Sequence, residues 1–318
     1  MNSIKKNFRL LNGKYSLDLD ICGTLVRMQS LFKPVDLLDN PFRPEDERLA
    51  SFAVRSGRRP DVLVNVSVAA KLPPLPRARA FTTYHPEDGK ENWSLYRAGS
   101  RHVFYCPLRD KEQVLTISGD LSRVDAVMLA KRGGAMVWDP LDIVYDFLQI
   151  LLIYRITSRG EGLLLHACGL RDTDGRGYIF AGKSGAGKST TAKLWHRNSR
   201  AGMLNDDRVV VLRRGNGFVM YNPPWHGEVG GQLKSYNKPS RLDKIFFIGK
   251  GRRNSCKTLA FDSAFRHLYP CLFPPSWDRA ALSSCLALGG ELLSRVPCCK
   301  LNFVKNRKVI GFVRALPR

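Results

Sequence analysis

The residues from Gly182 to Ser189, Gly-Lys-Ser-Gly-Ala-Gly-Lys-Ser, follow the spacing Gly-x-x-x-x-Gly-Lys-Ser/Thr. Glycines at that spacing let the backbone curl until successive N–H groups face one concavity, where phosphate oxygens are held. Gly182, Gly185 and Gly187 supply the freedom, and Lys183, Ser184 and Ala186 the amides between them. Lys188 is placed to reach β- and γ-phosphates, Ser189 to put its hydroxyl on Mg²⁺, and Thr190 to carry the loop into a helix. The helix N-terminus adds unpaired N–H groups and partial positive charge. ATP and Mg²⁺ are therefore the expected ligands.

Phosphate chemistry also needs carboxylates. Asp206-Asp207 stand about twenty residues past the loop, directly before an apolar run. Two adjacent carboxylates repel, so a cation must neutralise one or one must hold a proton. That suits one metal-bound acid and one general base, although a solvated Asp-Asp turn has the same sequence. His166 lies inside Leu-Leu-Leu-His-Ala-Cys, where a satisfied core histidine is the competing reading. Glu228 and His226, in Pro-Pro-Trp-His-Gly-Glu, are ambiguous by themselves.

Around these residues the pattern predicts alternating strands and helices. Gly162 to Leu170 and Tyr178 to Ala181 are apolar strands, with the glycine-rich loop after the second and a helix from Ser189 to His196. Arg208 to Leu212 and Phe218 to Tyr221 flank a Gly-Asn-Gly turn as a hairpin, and Lys244 to Ile248 is another buried strand. Trp277 to Arg295 has helical spacing, and strands are expected near Cys299 to Val304 and Val309 to Val313. Upstream, Val62, Val64, Val66 and Val68 alternate as on a half-buried strand, and three further strands follow between Trp93 and Ser118. Gly133-Gly134 breaks the chain, and Asp139-Pro140 then caps an amphipathic helix. The expected fold class is α/β: a P-loop kinase core at 136–318 preceded by a smaller β-rich N-terminal domain at 1–135, the latter a candidate for acceptor binding.

The sequence carries 51 Lys+Arg against 28 Asp+Glu, a net charge of +23. Up to Gly160 the split is 24 against 18, and beyond it 27 against 10, so the positive charge sits mainly with the glycine-rich loop. Such a field attracts polyanions without choosing among them. The basic residues are spread rather than interleaved with aromatics, which argues against nucleic acid as the partner. No apolar stretch is long enough for a membrane span, and no signal peptide is readable. The eight cysteines lack any CxxC pairing and read as small buried hydrophobes in a reducing cytoplasm. Cys298 and Cys299, adjacent on a strand, are expected to face opposite ways. Homo-oligomerisation is left open.

In combination these segments resemble the catalytic domain of HPr kinase/phosphorylase and its HPr kinase-like relatives. The resemblance runs over roughly residues 140–318: Leu-Leu-Leu-His166-Ala-Cys-Gly-Leu, then Gly182 to Thr190, then Asn205-Asp206-Asp207-Arg208-Val209, with further likeness at Pro223 to Glu228, Lys244 to Ile248 and Glu291 to Pro297. It implies the fold shared with ATP-dependent phosphoenolpyruvate carboxykinases and ATP- and Mg²⁺-dependent transfer of phosphate to a serine hydroxyl. Under it Asp206 is the general base, Asp207 and His166 its charged neighbours, and Ser189 the magnesium-binding hydroxyl. Glu228 falls near a second magnesium-associated glutamate, and Asp207 is the further candidate metal ligand. The bifunctional enzymes carry Glu-Ile-Arg-Gly where this chain has Gly227-Glu228-Val229-Gly230, without the arginine, so neither the reverse reaction nor HPr as acceptor is implied. Relatives of this kind include peptide-modifying kinases of ribosomal peptide biosynthesis, which points to an acidic peptide or small protein as acceptor. A nucleotide-binding regulatory module without catalysis and a nucleic-acid-associated ATPase are the competing classes.

Overall fold

The computed structural model describes residues 8–34, 48–85, 88–108, 111–130, 136–227 and 238–317. The chain separates into two compact units, Met1–Leu151 and Leu152–Arg318. Glu228 and the Gly133-Gly134 break lie outside the described residues.

The first unit is built on a ten-stranded mixed sheet: β1 (Arg9–Leu11), β2 (Lys14–Ile21), β3 (Thr24–Ser30), β4 (Ala53–Val54), β5 (Val62–Ala69), β6 (Arg79–Tyr84), β7 (Glu91–Ala98), β8 (Arg101–Leu108), β9 (Lys111–Ile117) and β10 (Arg123–Leu129). The order is β1-β2-β3-β5-β10-β9-β8-β7-β6, with β4 on β2. On β5 the valines at 62, 64, 66 and 68 are buried and the residues between them half-buried, the alternation expected from their spacing. Asp18, fully buried on β2, is held by a two-pronged hydrogen bond from Arg27 (2.6 and 2.8 Å) and by Arg9 at 2.5 Å. Paired this way, the carboxylate escapes the penalty of a lone buried charge.

After Asp139, whose side chain accepts from Leu141 N–H with Pro140 in the first turn, the chain turns through α1 (Pro140–Ile143), a π-helical turn (Val144–Leu148) and α2 (Gln149–Ser158). The division between the units falls within α2.

The second unit has nine strands: β11 (Gly162–Arg171), β12 (Gly177–Ala181), β13 (Gly202–Asn205), β14 (Arg208–Arg214), β15 (Gly217–Tyr221), β16 (Ser240–Arg241), β17 (Lys244–Lys250), β18 (Ser255–Thr258) and β19 (Cys298–Phe303). Their order is β16-β15-β14-β11-β12-β17-β19-β18, with β13 beside β11. Only β12–β17 and β17–β19 pair in parallel. Among its described residues the unit also holds the end of α2 and the helices α3 (Lys188–Asn198), α4 (Phe261–Leu268), α5 (Arg279–Arg295) and α6 (Lys308–Arg314). Odd-numbered residues of β11 and β12 (Leu163, Leu165, Ala167, Ile179, Ala181) pack with α4 and α5. Even-numbered ones (Cys168, Leu170, Tyr178, Phe180) pack with Trp195 of α3 and Val309 and Val313 of α6. Cys298 and Cys299 divide between these two cores, as adjacent strand residues must.

The expected α/β kinase core is corrected by this architecture. The chain is mostly β-sheet, 42% strand against 25% helix, arranged as two large mixed sheets. The first unit, 151 residues by its bounds, is the smaller of the two, as expected, though close in length to the second. Two sequence features explain the difference. β14 follows β13 in line along one side of β11 and then turns back into β15 as an antiparallel pair, all without an intervening helix. Fully apolar strands look the same in sequence whether their neighbours run parallel or antiparallel. Val309 to Val313, expected as a strand, lies in α6; a short apolar run has no periodicity of its own to separate the two states.

Candidate functional site

Strand pairing brings the chemistry-bearing segments together around Ala167. On one side, β12 pairs with β11 so that Ala181, the residue before the glycine-rich loop, stands opposite Ala167. On the other side β11 changes partner. It pairs with β14 from Gly162 to His166 and with β13 from Gly169 to Arg171. Asp206-Asp207 form the turn between β13 and β14, in the gap at this handover, and Ala167 N–H donates to Asp207 C=O at 2.9 Å. Loop and paired acids thus flank one strand, about 10 Å apart in backbone at two strand spacings.

The loop curls from Gly182 into α3 with Gly185 at φ 75° and Gly187 at φ 113°. No side chain caps α3, so the N–H groups of its first turn are not taken up by a capping residue. A Cβ on Gly187 would stand 3.3 Å from the Phe303 ring and would also need a left-handed backbone that side chains resist. Lys188 is 7% exposed and folds over the loop, its Nζ donating to the carbonyls of Gly182 (2.9 Å) and Lys183 (3.4 Å). Burial pushes its ammonium below the ordinary lysine range, and the charge of Asp207 opposes that shift. Ser189 is half-buried in the first turn of α3 beside Thr190, while Lys183, Ser184 and Gly185 are exposed.

Opposite the loop, His166 and Asp207 form a pair, Nε2 donating to Oδ1 at 2.9 Å. Arg208 Nε lies 3.3 Å from the other carboxylate oxygen. Burial alone would raise the Asp207 pKa, but the His166 hydrogen bond and the charges of His166, Arg208 and Lys188 together hold it below the usual carboxylate range. Asp206, 2% exposed, accepts from Gly227 N–H at 3.1 Å. Its charge reaches Cys168, whose thiol is pushed well up by burial first and by Asp206 second.

No family model matches this chain, and no curated protein does. The expected kinship with HPr kinase-like proteins accordingly rests on the motifs themselves.

Several residues to which the motif reading gave no role hold this site. Asn205, buried, donates to Asn222 Oδ1 (3.1 Å) and to Trp225 C=O (2.7 Å), while its Oδ1 accepts from Asp207 N–H (3.0 Å) and Arg208 N–H (3.1 Å). One amide therefore sets the acid turn and ties it to the segment that carries Gly227. A Cβ on Gly227 would come within 2.8 Å of Asp207 Cβ and 2.9 Å of Asp206 Oδ2, so glycine is what lets that backbone reach Asp206. Phe273 packs beside both partners of Asp207, its ring centroid 6.0 Å from that of His166 and 5.5 Å from the Arg208 guanidinium carbon. Gly227 and Asn205 were visible only as members of quoted motifs, and Phe273 lies in none of them.

Among the described residues no group of three or more His, Cys, Asp or Glu side chains is gathered to hold a metal ion. A magnesium ion does not need such a cage, since it keeps several waters and binds through one or two protein oxygens and the phosphates. The donor set fits that mode: Ser189 and Asp207 are the described candidates. His226, whose Nδ1 is 2.7 Å from Gly227 C=O, faces its own backbone.

Proposed function

We propose that this chain is an ATP- and Mg²⁺-dependent phosphotransferase that moves the γ-phosphate to a hydroxyl of a peptide or small protein. The observation that carries the reading is the register at Ala167, which sets an uncapped helix N-terminus with its lysine on one side of a strand and the acids, Asp206 buried and Asp207 half-buried, on the other. The order of histidine strand, glycine-rich loop and paired acids, shared with HPr kinase-like proteins, supports it.

In this reading the loop amides from Gly182 to Ser189 bind the phosphate tail, and Lys188 leaves its carbonyl partners for the β- and γ-oxygens. Ser189 and Asp207 would hold the magnesium ion, which would supply neutralisation of phosphate charge. Asp206 accepts the proton of the acceptor hydroxyl while that oxygen bonds to the γ-phosphorus, and the bond from phosphorus to the β–γ bridging oxygen breaks to release ADP. His166 and Arg208 keep Asp207 ionised, and Asp206 is the carboxylate assigned to the acceptor's proton. Most of the rate enhancement then comes from positioning and charge neutralisation.

Calorimetry with Mg·ATP tests the binding half: heat is expected from the wild type and none from Lys188→Ala. Incubation with labelled ATP and acidic peptides, read by mass spectrometry, tests the chemical half. Asp206→Asn should keep the calorimetric signal and lose transfer by about 10²- to 10⁴-fold. Near-wild-type transfer by that variant removes Asp206 from the base role, and absence of ATP binding by the wild type removes the whole reading.

A further inference from the structure

The charge asymmetry has a local form. From Gly175 to Asn205 and from Leu292 to the end at Arg318 the chain holds six and seven Lys or Arg and no Asp or Glu. The structure folds parts of both segments around one open cleft of about 740 Å³, lined by Arg197, Asn198, Ser199, Arg200, Arg307 and Lys308 with Ile310 and Gly311 at its floor. The four cations are exposed, and among the described residues none has a carboxylate partner. Some cations elsewhere in the same unit are paired, Arg176 with Asp174, Arg213 with Glu291 and Arg314 with Asp172. Unpaired guanidinium groups in one concavity match carboxylates, which they grip with two parallel hydrogen bonds.

The cleft lies at the C-terminal end of α3, whose exposed carbonyls would ordinarily repel an anion. Here two carbonyls near that end, of Leu194 and Trp195, are occupied by side-chain donors. Asn198 Nδ2 donates to Leu194 C=O (2.8 Å), and Ser199 donates to Trp195 C=O through both its hydroxyl (2.7 Å) and its N–H (2.9 Å). No aromatic side chain lines the cleft, and Trp195 and Phe303 of the same segments are buried in the core, so there is no platform for stacking bases. The volume is that of a site for a short segment, not an extended phosphate track.

We infer that this cleft is a docking site for an acidic peptide segment. It is separate from the glycine-rich loop: the two stand at opposite ends of α3, whose 11 residues span about 16 Å. The inference does not depend on the phosphotransferase reading, because peptide capture here needs neither nucleotide nor Asp206.

Fluorescence anisotropy on the full chain tests it, with a labelled peptide of alternating Glu and Gly, its Gln counterpart, and a single-stranded DNA of matched charge. Wild type should bind the Glu peptide, weaken with added salt, and ignore the Gln peptide. Arg200→Glu with Arg307→Glu should raise the Kd on the order of ten-fold or more, while Lys71→Glu with Arg101→Glu, an equal charge change on the other unit, should shift it less than about two-fold. If the Glu pair lowers the melting temperature, Arg200→Gln with Arg307→Gln takes its place, with an expected loss of about five-fold. Equal losses in cleft and control variants would mean the bulk field alone attracts the peptide, and overturn the assignment. So would absence of Glu-peptide binding by wild type, or DNA binding that is tighter than peptide binding and is lost with the cleft charges.

Discussion

Asp207 is the residue where burial and charge oppose each other most directly. Burial favours the protonated acid, and the hydrogen bond from His166 with the charges of His166, Arg208 and Lys188 reverses the balance, so its pKa is lower in the folded chain than in the unfolded one. A carboxylate with a depressed folded pKa contributes stability at pH values above its unfolded pKa of about 3.9, and loses it as the pH falls through the folded value. Urea unfolding of wild type and Asp207→Asn should therefore differ most above about pH 5 and converge as the pH falls below the folded value. A gap that is constant with pH would mean that Asp207 acts through shape rather than charge. Asn205 makes a second residue-scale prediction. All its polar atoms are engaged in the buried turn, so Asn205→Ala should cost about 2 kcal/mol and lower Tm by roughly 5 °C, measured by circular dichroism. Asn205→Asp should be no better, because the carboxylate cannot donate to Asn222 and Trp225.

The element that matters most is the glycine-rich loop with α3. Gly187 turns the loop into the helix at φ 113° with the Phe303 ring of β19 close behind it. Gly187→Ala should thus cost about 1–2 kcal/mol of stability from backbone strain alone, and misalign the N–H groups that face the phosphates. Mg·ATP calorimetry at a temperature where the variant is folded separates the two effects; unchanged affinity would show that the loop tolerates the side chain. On the facing segment, Gly227→Ala should leave ATP binding intact and reduce transfer, since a Cβ there pushes on Asp206 and Asp207 and not on the loop. Loss of ATP binding in Gly227→Ala would contradict that separation.

At the scale of the whole molecule, the eight cysteines are all free thiols, six of them buried. Burial pushes the Cys256 and Cys298 thiols up to about 12 and that of Cys285 up to about 11, which removes the reactive thiolate at neutral pH. Tm should therefore be the same with and without reductant, and a thiol reagent should label all eight rapidly only after denaturation. A reductant-dependent Tm would indicate a cross-link that the fold does not contain. Among the described residues no helix is long and apolar enough to cross a membrane.

Residue spacing by itself determined the local features: the glycine-rich loop between strand and helix, the valine alternation of β5, the Asp139-Pro140 cap, and the opposite facing of Cys298 and Cys299. Each depends on neighbours within a few positions, where backbone period and φ preference decide the outcome. Tertiary structure alone decided which strands lie side by side. The exchange of partners on β11, the placing of Asp206-Asp207 in its gap, the work of Asn205 and the mostly β architecture all depend on pairing between segments far apart in the chain. An apolar strand advertises that it is buried but not beside what, because hydrogen-bonded backbone is the same for every sequence and register is settled only when the two cores close.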